Sequence, residues 1–212
     1  MHDHDDDGHG HSTPTSADSQ QWRRILWFAL VVNAVMFVVE MVAGISAGSS
    51  SLQANALDFF GDATNYAISL GVIGMAVAWQ TRAAFFKGGS LLIFGIWILG
   101  TTLWHTYVGT VPDVPTMGII GFLALIANVV VAVMLYRFRN GDANMRSVWL
   151  CTRNDAVGNI AVLLAAVGVF GTATGYPDFI VAAVLAYLSV SAGWQTLRQA
   201  LGEHRDHRGA KP

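Results

Sequence analysis

Charge is what this chain has least of. Only 12% of its 212 residues are Asp, Glu, Lys or Arg, about half the share found in soluble domains. A net charge of −2 gives no reason to expect a nucleic-acid partner. The single cysteine, Cys151, excludes an internal disulfide framework. Lys and Arg are missing altogether from three segments, around 47–50, 109–115 and 173–177. The leader also lacks the basic start and small-residue cleavage site of a signal peptide, so none is expected.

What fills the chain instead is apolar sequence, 53% of all residues. Six stretches approach the roughly 20 residues that a bilayer core requires. They fall at about 24–46, 51–79, 88–108, 116–137, 143–172 and 178–201. The expected fold is therefore all-α, a polytopic membrane protein with six transmembrane helices. Its expected parts are a disordered His/Asp-rich tail at 1–22, one membrane domain at 23–201 and a short tail at 202–212. Basic residues sit before the first stretch (Arg23, Arg24) and between the second and third (Arg82, Lys87). More lie between the fourth and fifth (Arg137, Arg139, Arg146) and after the sixth (Arg198, Arg205, Arg208, Lys211). The positive-inside rule then puts both termini in the cytoplasm, with the domain in the cell's inner membrane.

The first eleven residues hold four His (His2, His4, His9, His11) and four Asp. Such a tract collects metal weakly and exchanges it fast; the plainer reading is a solvated acidic tail. His204 and His207 follow the last span and add to the same capacity.

Two acids, Asp58 and Asp62, stand in the second apolar stretch, where a charge is costly and signals function. Residues three, four and seven apart share a helix face. That face reads Ser51, Asn55, Asp58, Asp62, Asn65 and Ser69. In the fifth stretch the matching face reads Ser147, Cys151, Asp155 and Asn159. Two carboxylates alone would suit a proton relay. A thiolate and a third carboxylate complete a tetrahedral set for a zinc-like ion. A lone cysteine is ordinarily a small buried hydrophobe. Its i, i+4 relation to an intramembrane Asp favours the ligand reading for Cys151. The expected metal ligands are thus Asp58, Asp62, Cys151 and Asp155, with Asn55, Asn65 and Asn159 supporting them by hydrogen bonds.

Other residues read mainly as structure. Asp178 suits the first turn of the sixth helix, beside Pro177. Asn33 and Asn128 are expected to hydrogen-bond between helices. His105, Trp104 and Tyr107 fit an interfacial aromatic belt. Glu40 is either a proton-pathway acid or a partner for Arg153. At 3.6 residues per turn, Arg153 points away from both Cys151 and Asp155.

The run from Asn33 and Glu40 through Gly44, Gly48 and Ser49 to Asn55, Asp58 and Asp62 resembles the opening of the cation diffusion facilitator transporters. The segment Asn144–Asn159, with Cys151, Asp155 and Gly158, is similar to that family's fifth-span motif, and Asn128 and Thr174–Asp178 also fit. The resemblance covers about 24–201. It implies a carrier, not an enzyme, that moves a divalent metal out in exchange for protons, commonly Zn2+ or Cd2+ and usually as a homodimer. No cofactor is implied, since the metal is cargo. The transport site it implies is Asp58, Asp62, Cys151 and Asp155. Cys151 stands where the family usually has His or Asp, Asn55 where it often has Asp, and Arg153 where it has an apolar residue. The chain ends about a dozen residues after the sixth span, so a short form without the family's cytoplasmic domain is expected. Two other readings follow from the residues: a membrane-anchored metal-binding or sensory subunit, and a proton-coupled carrier of a non-metal substrate.

Overall fold

The computed structural model describes residues 16–71, 77–139 and 143–209. Among them lie six helices and no strand: α1 (Ser16–Ala47), α2 (Ser50–Gly71), α3 (Val77–Val108), α4 (Val114–Tyr136), α5 (Ala143–Thr172) and α6 (Tyr176–Gly209). The tail histidines His2, His4, His9 and His11 lie outside the described residues. All six helices fall where apolar stretches were expected, and the protein is a polytopic membrane protein.

Five of the helices are long and apolar enough to cross a bilayer. The exception is α2. Its 22 residues span about 33 Å at 1.5 Å per residue, enough for the hydrocarbon core. It can be less apolar because it is the central helix, packed against all five others. Leu52, Leu57, Phe59, Asp62 and Tyr66 of α2 are all buried in protein. Lipid instead meets the outer faces of its neighbours, where Val35, Ile93, Ile119, Leu164 and Ile180 are exposed.

One boundary differs from expectation. The second stretch was expected to run to 79 and the third to begin at 88. Residues 72–76 lie outside the described residues, and from Val77 the chain already belongs to α3. Nothing then interrupts α3, so Arg82 and Lys87 are helical residues and not loop residues. Gly88 is tolerated mid-helix because α3 and α6 pack closely there. A Cβ on Gly88 would lie 2.9 Å from the Gly193 carbonyl oxygen, and one on Gly193 would lie 2.9 Å from that of Gly88. Small residues that let two backbones approach are the usual basis of tight helix pairs in lipid.

The ends are closed by local chemistry. Gly48 takes a left-handed φ of 63° after α1. Its amide donates to Ile45 at 3.3 Å and the Ser49 amide to Gly44 at 2.9 Å, the paired bonds that terminate a helix on glycine. Asp113 caps α4 by accepting from the Thr116 amide at 3.0 Å. The Thr116 hydroxyl and amide hold this carboxyl below its usual range.

Asp178 does more than sit in the first turn of α6. It is fully buried and turns toward the start of α2. Its carboxylate accepts from Ser49 Oγ (2.7 Å), the Ser50 amide (2.8 Å), Ser51 Oγ (2.6 Å) and the Ser51 amide (3.2 Å). One acid thus satisfies the orphan donors of another helix's N-terminus. His105 also differs from expectation. Trp104 and Tyr107 face outward as a belt would. His105 instead lies 3.1 Å from Ser50 Oγ and stacks beside Phe179.

Among the described residues two large apolar clusters and a small one around Met36, Phe59 and Ala124 fill the bundle. One of the large clusters gathers Leu52, Leu57, Leu91, Met117, Val162 and Val169. The other gathers Trp22, Leu26, Tyr66, Val131, Leu135 and Val148 near the other end. Along α2, Asp58 and Asp62 fall between Leu57 and Tyr66, so the acids form a polar layer between the two large clusters.

Candidate metal site

That polar layer opens into a cavity of about 470 Å³ between α2, α3, α5 and α6. Asp58, Asp62, Cys151 and Asp155 all line it. The i, i+4 spacing turns each pair to one face of its helix, and the packing of α2 on α5 brings the faces together. Asp62 is the most enclosed, at 5% exposure. Asp58 and Asp155 are half-buried, and Cys151 is exposed toward the α5 N-terminus. The Asp62 and Asp155 carboxyls lie near enough across the helix contact for their charges to interact. Among the described residues, no three His, Cys, Asp or Glu side chains converge into a ready-made metal cage. The four side chains share one cavity.

Two residues that spacing did not single out hold Asp62 in place. Tyr66 Oη donates to Asp62 Oδ2 at 2.9 Å and lies 2.6 Å from Thr152 Oγ1. Thr152 Oγ1 itself lies 3.4 Å from the same carboxylate oxygen. Tyr66 stands four residues after Asp62, so the helical face that revealed the acids also contained it. Thr152 lies beside Cys151 on α5 and carries no such signal.

The three asparagines expected to support the ligands bond elsewhere. Asn55 Nδ2 donates to both Glu40 oxygens (3.0 and 2.9 Å) and to Asn159 Oδ1 (2.7 Å). Asn159 Nδ2 turns to the Asp155 carbonyl at 3.1 Å. Asn65 Oδ1 accepts from Lys87 Nζ. The first two build a buried link from Glu40 on α1 through α2 to α5, one turn of α2 from Asp58.

Glu40 is therefore held by Asn55 and is not a partner of Arg153. Arg153 is exposed, donates to Asn154 Oδ1 at 3.3 Å and lies over the Trp149 ring. It points away from the cavity, as its helical angle requires. Among the described residues, Asn33 and Asn128 do not make the interhelical bonds expected of them. Asn33 donates to Ala29 of its own helix, and the Oδ1 atoms of both residues lack partners.

Lys87 is the residue that the sequence placed wrongly. Half-buried one turn into α3 from Arg82, it lines the same cavity as the acids. It is the only basic side chain among the cavity's described lining residues.

The chain is similar in sequence to known proteins. The chain is 24% identical over 210 residues to the metal cation efflux system protein CzcD of Cupriavidus metallidurans, covering 92% of this chain and 64% of that one. It is 23% identical over 209 residues to the zinc transporter ZitB of Pectobacterium atrosepticum, with the same 92% and 64% coverage. The chain thus spans less than two thirds of the length of these curated relatives. Residues 26–203, reaching from α1 into α6, match the cation efflux transmembrane domain, and the chain belongs to that family, the cation diffusion facilitators.

Proposed function

We propose that the protein carries a divalent metal ion, zinc or cadmium, out of the cell in exchange for protons. The ion binds Asp58, Asp62, Cys151 and Asp155. The observation that carries this reading is that four potential anionic ligands, two from α2 and two from α5, line one cavity inside a membrane bundle. The family is one of transporters, and relatives are named for metal cation efflux and for zinc.

The exchange follows from ligand chemistry. Carboxylates and a thiol must lose protons to bind metal, so metal entering displaces protons and protons arriving displace metal. With the cavity open to the cytoplasm, metal loads. Drawing α2 and α5 together around the ion and reopening on the other side exposes it to external protons. Tyr66 and Thr152 keep Asp62 aimed into the cavity during that movement. Cys151 adds a soft ligand, which favours zinc and cadmium over manganese and magnesium. Both termini lie in the cytoplasm of an inner-membrane protein, because Arg23, Arg24, Arg82, Arg137 and Arg139 gather at one end of the bundle. The assembly is a homodimer, as the family resemblance implies, and the His/Asp tail supplies metal to the entrance.

Thiol labelling of the purified protein tests the site. Zinc should protect Cys151 from alkylation in wild type and lose that protection in Asp155→Ala. Labelling that ignores zinc would remove Cys151 from the site.

A further inference from the structure

Lys87 has no role in the transport chemistry above, yet its ammonium lines the cavity of Asp58, Asp62, Cys151 and Asp155. An intramembrane ammonium needs a counter-charge or hydrogen-bond acceptors. Its acceptor is Asn65 Oδ1, on the α2 face that carries Asp58 and Asp62. Asp62, Asp155 and Cys151 all lie within reach of its charge. A lysine kept only to orient the helix would sit at the membrane surface and face outward. This one is half-buried and turned inward.

We propose that Lys87 is a tethered cation of the transport site: its ammonium balances the acids when the site is empty and opposes the incoming metal electrostatically. This rests on the reading of the cavity as a metal site. A fixed positive charge repels a dication, so it lowers affinity and speeds release. A lysine does this without binding irreversibly, because it is a point charge on a flexible stem. Asn65 holds the ammonium to one side, which leaves the centre of the cavity free for the ion. The stem's anchorage on α3 also gives the site a wall that α2 and α5 do not supply. Lys87 is therefore a residue that sets affinity, and Asn65 positions it.

The test is the zinc affinity of the full-length protein in nanodiscs, by isothermal titration with zinc alone. It is paired with proton-driven zinc release from proteoliposomes. Lys87→Gln keeps a polar contact for Asn65 but removes the charge. It should bind zinc about tenfold more tightly, or about 1.4 kcal/mol, and release it more slowly. Lys87→Arg keeps the charge and should stay close to wild type. Asn65→Leu frees the ammonium to move onto the carboxylates and should weaken zinc binding. That loss should vanish in the Lys87→Gln background, because the two residues act through one interaction. Unchanged or weaker binding by folded Lys87→Gln overturns the proposal. So does an Asn65→Leu effect that persists without the ammonium. If Lys87→Gln does not reach the membrane, Asn65→Leu decides alone, and unchanged affinity there overturns it. Wild type that binds no zinc removes the metal site and this role together. Wild type that binds zinc, with an indifferent Lys87→Gln, removes this role only.

Discussion

Replacing Asp178 by Ala should loosen the whole bundle from one end. The carboxylate receives two backbone amides and two hydroxyls from residues 49–51. The serine hydroxyls can turn to other acceptors, so their loss counts for little. The Ser50 and Ser51 amides cannot turn, and both residues are buried. A hydrogen bond to a charged group contributes about 1.5–3 kcal/mol, and a buried donor left unpaired forfeits it. Two such amides give about 3–6 kcal/mol, and entry of water at the membrane surface reduces this to about 3. For a domain of this size each kcal/mol moves the unfolding midpoint by roughly 2–4 °C, so Asp178→Ala should melt about 6–12 °C lower. Asp178→Asn keeps one acceptor oxygen and should lose less than half of that. The assay is thermal unfolding of detergent-purified protein at a fixed heating rate, followed by tryptophan fluorescence. An Asp178→Ala midpoint within 2 °C of wild type would refute the claim that α6 caps α2.

Four further outcomes are expected. Cys151→Ser should weaken zinc and cadmium binding strongly in a competition assay against manganese, because a neutral hydroxyl is a poor ligand. Cys151→His should keep zinc transport and flatten its pH dependence. A free thiol stays protonated up to about pH 8.5 and a free imidazole only up to about 6.5, so above pH 6.5 only the thiol still gives up a proton to bind metal. Flux measured from pH 6 to 8.5 checks this. Deleting residues 2–11 should raise the zinc concentration for half-maximal transport and leave the maximal rate nearly intact, whereas loss of all transport would give the tail a gating role. Gly193→Leu should destabilise the α3–α6 contact by about 1–3 kcal/mol, the usual cost of overpacking, read as a lower melting point with the same amount of protein in the membrane.

Helix number and the polar face of α2 were legible because both are local. Hydropathy counts residues along the chain, and a spacing of four becomes a shared face in any α-helix. The same reasoning paired Cys151 with Asp155 before their cavity was known, and it turned Arg153 away from them. What failed depended on contacts between helices. The early start of α3 was not legible, because Gly88 serves as a close-packing surface for α6, a contact that no local pattern reports. Lys87 fell between the expected second and third stretches, so the only basic side chain among the described residues of the cavity wall was not legible as one. Asp178 read correctly as a first-turn acid, but its carboxylate serves a helix 128 residues away in sequence. The asparagines were given to the metal ligands by proximity along the helix, while the structure gives them to Glu40, Lys87 and one another.

Zinc-driven proton movement in proteoliposomes tests the central claim most directly. Purified wild-type protein should couple zinc entry, read by an enclosed zinc dye, to opposite proton flow, read by an enclosed pH dye. Asp62→Ala and Asp155→Ala, each removing one proposed ligand, should abolish both signals while inserting in normal amounts. Wild-type flux in either variant would contradict the assignment of the cavity as the transport site, and zinc movement without proton movement would contradict the exchange.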